Sequence, residues 1–175
     1  WHYTNKTSPS SNFWQRSHES ILCCSKTKNP VFNRDDVREP YTNAFLKSSD
    51  KIRRATKGRF GTQETTYHAH EKGALPRDVI KIPALSGGSG NRERVNHPTQ
   101  KPLELCKRLI RASRVKDNSA CLVLVPFVGS GSECVACVQL GVNYVGFEVN
   151  PEYHRLATTR IQQAARADPI GKILV

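Results

Sequence analysis

The 175-residue sequence contains no methionine and opens on Trp1. It is short of acids, with 15 Asp and Glu against 27 Lys and Arg, and aromatic residues make up only 7% of it. No apolar run in these residues approaches the roughly 20 residues that a bilayer-spanning helix needs. No charged-then-apolar leader follows Trp1, so no secretory signal is read. The missing methionine and the Trp1 start predict a processed product or, in preference, the later part of a longer reading frame.

Cysteine is present but lacks the pattern of a metal or redox centre. Cys134-Val-Ala-Cys137 has no second Cys pair, and His97 and His154 are not at ligand spacing from it, so no metal site is read. His68-Ala-His70 reads as a loop fragment. Cys106, Cys121, Cys134 and Cys137 lie in apolar or helical patterns, unlike Cys23 and Cys24. That placement predicts buried thiols in a reducing compartment.

What the chain has is positive charge, concentrated in its middle. The length suits one domain with a real core, and the formal charge is +12. Between Lys47 and Arg114 sixteen Lys or Arg face six Asp or Glu, with Arg53, Arg54, Lys57 and Arg59 packed closely. A single charge run usually means a solvated face, but an excess this large favours a polyanion. The stretch lacks the apolar stripe of an interfacial helix, so nucleic acid is preferred over a membrane surface.

Periodicity divides the chain in three. Residues 1–28 read as strand, polar loop and strand, with Ser20-Ile21-Leu22-Cys23-Cys24 as the second strand. Residues 29–96 carry no sustained period. After Pro102, apolar residues at Leu103, Cys106, Leu109 and Ile110 predict an amphipathic helix. The run Cys121–Val125 predicts a buried parallel strand, followed by a glycine turn and a helix over 133–140 that Gly141 stops. Tyr144–Phe147 predicts a second buried strand, and Asn150 caps a helix from Pro151 to about Ala167. This order is α/β of Rossmann type.

The turn and the end of the second strand hold the candidate site. Gly129-Ser130-Gly131 between a strand and a helix lets a ligand lie against backbone amides. The third position of a dinucleotide fingerprint is Cys134, not glycine, which suits a nucleoside ligand without a pyrophosphate. Glu148, seventeen residues after Gly131, is placed to accept two ribose hydroxyls. The competing reading makes Glu148 a helix-entry acid beside Asn150.

Three segments, His97-Pro98-Thr99-Gln100-Lys101-Pro102, Pro126-Phe127-Val128-Gly129-Ser130-Gly131-Ser132 and Gly146-Phe147-Glu148-Val149-Asn150-Pro151-Glu152-Tyr153, resemble consecutive motifs of the DNA amino-methyltransferases. Those enzymes methylate N6 of adenine or N4 of cytosine from S-adenosylmethionine, and many belong to type II restriction-modification systems. The order resembles the permuted class in which target recognition precedes the glycine loop. Residues 16–22 and 73–79 resemble further segments of that class.

The resemblance implies a Rossmann-like S-adenosylmethionine-dependent methyltransferase fold that lacks its N-terminal strands. It implies late-sheet strands over 1–33, a target-recognition region over 34–96 and a cofactor-binding half over 97–175. Phe127, Gly129, Ser130 and Gly131 would line the cofactor site, Glu148 would hold the ribose, and His97, Thr99 and Lys101 would approach the methionine carboxylate. For the last three the bland reading is a helix cap, and a helix start is itself an anion site. Double-stranded DNA is the implied partner, with Arg53, Arg54, Lys57 and Arg59 on phosphates. Adenine is the implied target by family frequency, with N4-cytosine as the alternative. The implied setting is the cytoplasm of a bacterial or phage-type system, and homodimers are common in the family.

Two departures qualify the resemblance. Val125 stands where the family usually has an acid, and no Asp/Asn/Ser-Pro-Pro-aromatic catalytic box occurs, so no catalytic residue is assigned. In the family the strand bearing that box lies beside the strand represented by Leu122–Val125, which predicts an unpaired sheet edge and no methylation by these 175 residues alone. A catalytically inactive DNA-binding remnant is therefore the second reading, and an RNA methyltransferase the third.

Overall fold

In the computed structural model, residues 1–5, 10–53, 65–85, 92–117 and 120–167 are described. The chain divides into two compact units, Arg34–Arg77 and the combination of Trp1–Asn33 with Asp78–Val175.

The larger unit is organised by three helices and two strands. Helix α2 (Leu103–Ser113) begins after Pro102, whose fixed φ suits a helix start. Its Leu103 amide is satisfied by the Glu93 carboxylate at 2.7 Å. Asn33 closes the other end, donating to the carbonyls of Arg111 (3.0 Å) and Arg114 (2.6 Å). Strand β3 (Leu122–Val125) and strand β4 (Asn143–Gly146) pair in parallel, with Leu122 opposite Asn143 and Val125 opposite Gly146. Helix α3 (Ser132–Leu140) connects them, and Gly141 ends it at φ +63 with its amide on the Cys137 and Val138 carbonyls. Helix α4 (Pro151–Ala167) follows β4. Asn150 caps it, its side-chain oxygen accepting from the amides of Glu152 and Tyr153. This parallel β-α-β connection followed by a helix is a partial Rossmann-like α/β arrangement.

Alternation along the paired strands puts Val123, Val125, Tyr144 and Gly146 on one face. Cys106, Ile110, Cys121, Ala136, Cys137 and Val142 form one core cluster, against which Val123 and Tyr144 pack. Val125, Val128, Cys134 and Ala157 form a second. Helix α3 contributes to both clusters, with Ala136 and Cys137 wholly buried. All four cysteines expected to be buried are so, and Cys23 and Cys24 are exposed. Ile110→Ala should cost roughly 2–5 kcal/mol in urea unfolding, because its methyl groups leave a cavity between helices.

Two expectations are corrected. The strands β3 and β4 are covered on one face only: Leu122 and Leu124 are 65% and 62% exposed, and Val145, Phe147 and Val149 are exposed beside them. The core clusters take up only the Val123/Tyr144 face, so the continuous apolar run overstated burial. Among the described residues no strand pairs with the free edge of β3.

The second correction is at the start of the chain, where Ser20–Cys24 is not a strand and Leu22 is 87% exposed. Pairing falls instead at His2, which bridges His18 antiparallel and Lys81 parallel. Burial decides the register there. Trp1 and Tyr3 meet edge to face and pack with Ile82, Ala84 and Leu105, whereas Ile21 and Leu22 are exposed. The Trp1 indole donates to the Ile82 carbonyl at 2.8 Å, which removes the cost of burying its N–H.

The smaller unit holds a 3-10 turn (Arg34–Val37), helix α1 (Asn43–Ser48) and the antiparallel strands β1 (Ile52–Arg53) and β2 (Thr65–Thr66). Arg38 ties it together, donating to Asp35 and to the Gly73 carbonyl, both at 2.7 Å. Gly73 sits at φ +97 with the Glu39 carbonyl 2.4 Å from where a Cβ would be, so no other residue fits.

Candidate cofactor site

The turn after β3 is shaped by its glycines. Gly129 and Gly131 both take positive φ, +53 and +78, a region that costs other L-residues energy. Each is also in close contact. A Cβ on Gly129 would meet His97 Nε2 at 2.9 Å, and one on Gly131 would meet the Ala157 Cβ at 2.9 Å. The turn is joined to β4 by Phe147 N–H on the Val125 carbonyl (3.0 Å) and Val128 N–H on the Phe147 carbonyl (2.9 Å).

Glu148 stands where the turn meets α4. One carboxylate oxygen accepts the Gly129 amide at 2.7 Å and the other accepts the Asn150 amide at 2.8 Å. The Asn150 and Gly129 amides are the main reason its carboxyl titrates below the usual carboxylate range. The helix-entry geometry is thus present. Each oxygen keeps a further lone pair, so bonding to a ribose remains compatible with it.

The expected site residues fall into two groups. His97, Gly129, Ser130, Gly131 and Glu148 converge on the turn. The His97 ring lies against Gly129 and meets Tyr153 edge to face at 4.5 Å. Burial lowers its pKa more than Glu148 raises it, which favours the neutral imidazole. Ser130 is buried, with its hydroxyl 3.2 Å from that of Ser132. Phe127 projects outward and is 89% exposed. Thr99 and Lys101 form the other group. Thr99 is exposed, its amide 3.4 Å from His97 Nδ1, and Lys101 pairs with Glu19 at 2.6 Å and lies over the Trp1 ring. Of the basic cluster, Arg53 lies in β1, while Arg54, Lys57 and Arg59 lie outside the described residues.

Three residues in this network escaped the sequence reading. Gln100 is buried and holds its segment in shape, donating to the Glu93 carbonyl and accepting the Val95 amide, both at 2.8 Å. Glu93 caps α2. Arg160 reaches from α4 to the Ser130 carbonyl and the Ser132 hydroxyl. A signal existed for Arg160 alone: it interrupts the apolar stripe Ala157, Ile161, Ala164 of an amphipathic helix.

A concave backbone turn, with free lone pairs on an ionised carboxylate and an exposed aromatic beside it, is suited to a nucleoside with a charged tail. Residues 1–159 match the family described as N6_N4_Mtase, DNA methylase. Type II methyltransferase M1.MboII from Moraxella bovis is 34% identical over 162 residues, covering 83% of this chain and 54% of that protein. DNA adenine methyltransferase YhdJ from Escherichia coli is 28% identical over 176 residues, covering 99% of this chain and 55% of that one. The crystal structure of the M1.HpyAVI-SAM complex aligns with 46% of this chain and 36% of its own, at 35% identity and a TM-score of 0.39. The chain spans about half the length of these curated relatives. With motifs, turn geometry and a family match from residue 1 to residue 159 in agreement, the chain belongs to the N6_N4_Mtase family of DNA methylases.

Proposed function

We propose that the protein acts as a site-specific DNA methyltransferase, moving a methyl group from S-adenosylmethionine to the N6 amine of adenine in duplex DNA, within a cytoplasmic restriction-modification system of bacterial or phage type. The observation that carries this reading is the glycine turn pinned to Glu148, with His97 against it. The 28% identity to a DNA adenine methyltransferase over 99% of the chain supports adenine over cytosine.

Each residue then has a task. Gly129, Ser130 and Gly131 present backbone to the cofactor without side chains in the way. Glu148 accepts the ribose hydroxyls through the lone pairs left free by Gly129 and Asn150. Phe127 offers an exposed ring against which a flat base packs. His97 and Thr99 border the methionine end, and Lys101 serves the methionine carboxylate by exchanging Glu19 for it. When bound, S-adenosylmethionine supplies an electrophilic methyl group for the target amine. This chain's contribution is to hold and orient it, which converts an encounter of two reactants into a positioned reaction.

Calorimetry with S-adenosylmethionine tests the site directly: the chain should bind it, and absence of binding by a folded chain sinks the reading. Labelled methyl transfer to mixed-sequence DNA, run on the 175 residues and on a version extended upstream through a Pro-Pro-aromatic box, should give N6-methyladenine only with the latter. N4-methylcytosine as the product would reassign the target. On the DNA side, replacing Arg53, Arg54, Lys57 and Arg59 together by Ala should reduce the log-log salt slope of binding by roughly 3–4. An unchanged slope would make this cluster a solvated face.

A further inference from the structure

We propose that Arg160 is a positioning residue that holds the glycine turn in its cofactor-binding shape, an inference that rests on the reading of that turn as the S-adenosylmethionine site. Arg160 lies on the α4 stripe formed by Ala157, Ile161 and Ala164, a place where an aliphatic side chain would pack without difficulty. A guanidinium there is half-buried, which disfavours its charged form and lowers its pKa. Such burial is tolerated only where acceptors meet the charge.

Its acceptors are the turn itself. Arg160 Nη1 donates to the Ser130 carbonyl and, at 3.3 Å, to the Ser132 hydroxyl. Ser130 and Ser132 are 4% and 0% exposed, so water does not compete for either. The Ser130 carbonyl belongs to the peptide plane that carries the Gly131 N–H, and that N–H donates to the Val128 carbonyl at 2.8 Å. Fixing one end of the plane fixes the other. The plane turns about Ser130 ψ and Gly131 φ, and Gly131, with no Cβ, restricts that rotation less than any other residue would. The turn's restraints therefore include Glu148 on the Gly129 amide, Arg160 on the Ser130 carbonyl, and Ala157 against Gly131.

Glu93 extends the arrangement. Burial is the main influence on its carboxyl and raises its pKa, and Arg160 is among the positive charges that oppose this. One Glu93 oxygen holds the start of α2. Arg160 and Glu93 thus favour each other's charged form.

Removing Arg160 should loosen the turn without unfolding α4, so that cofactor binding must first re-order the peptide. The test compares Arg160→Met, which keeps length and helix preference, with Arg160→Lys, which keeps the charge but loses the planar fork. Calorimetry with S-adenosylmethionine, amide hydrogen exchange at Gly129 and Gly131, and urea unfolding are measured on each. Arg160→Met should weaken binding roughly ten- to thirty-fold and speed exchange at Gly131 while α4 amides keep their protection. Arg160→Lys should recover part of both. Ser132→Ala, which removes one acceptor and leaves the arginine, should shift both in the same direction by about two- to five-fold, and it decides the matter if Arg160→Met does not fold. Failure of the wild-type chain to bind S-adenosylmethionine removes the cofactor reading, and the exchange rates then still decide whether Arg160 holds the turn. Unchanged affinity and unchanged Gly131 exchange in the folded variants overturn the proposal.

Discussion

Gly131→Ala should lower the stability of the larger unit by roughly 2–5 kcal/mol and take cofactor binding with it. Two independent terms add. At φ +78 an L-residue carries a left-handed penalty of about 1–2 kcal/mol. The new methyl would also lie 2.9 Å from the Ala157 Cβ and 3.1 Å from its Cα, an overpacking worth about 1–3 kcal/mol. The two separate in a double-mutant cycle. Ala157→Gly removes the methyl that would be struck, at a helix-propensity cost of about 1 kcal/mol. In the pair, Gly131→Ala should recover much of the packing penalty and none of the backbone penalty. A coupling energy near zero would mean that α4 moves away freely, and that Ala157 does not define the turn.

Glu148→Ala should weaken S-adenosylmethionine binding roughly ten- to hundred-fold, the range expected for losing a charged acceptor, and leave the salt slope of DNA binding unchanged. The carboxylate bonds the Gly129 and Asn150 amides, so the variant should also show faster exchange at both. Glu148→Gln is the sharper comparison, because it turns an NH2 group towards one of two N–H donors and loses one acceptor. The pH dependence has a definite sign. Folding lowers the carboxyl's pKa below its ordinary 4.5, so its contribution to stability is fully present above that value and lost as pH falls through the lower folded one. In Glu148→Gln this acid-side loss should disappear. Calorimetry that finds the cofactor affinity of Glu148→Ala unaltered would take Glu148 out of the site.

The elements nearest the site were the most legible in the sequence, because each end carries a residue with a local reason to be there. Asn150 before Pro151 starts α4, Gly141 stops α3, and Pro102 precedes α2. Their structural boundaries lie within a residue or two of those read from periodicity. Ser20–Cys24 was misread because four adjacent apolar side chains say nothing of where a burying surface lies, and it is Trp1, Tyr3 and Ile82 that pack together here. Leu122 and Leu124 were misread for a related reason: a run of apolar residues does not report how many faces of a strand are covered. At the site, Glu148 and the two glycines announced themselves through spacing. The Glu19 partner of Lys101 did not, since 82 positions separate the two residues. Nor did Glu93, whose role depends on a segment boundary and on burial.

The buried thiols turn the helical layer into its own reporter of motion. Cys106, Cys121 and Cys137 belong to one core cluster and Cys134 to the other, so each cluster has its own nucleophile sealed from solvent. Burial pushes the Cys134 thiol up to about 11 and that of Cys137 to about 12. At neutral pH neither offers appreciable thiolate to an alkylating reagent until its surroundings open. The rate at which each sulfur is captured therefore counts openings of its own cluster, on a background of immediate capture at Cys23 and Cys24. If the glycine turn holds the cofactor, its binding should slow capture at Cys134, which lies two positions into the helix that leaves the turn.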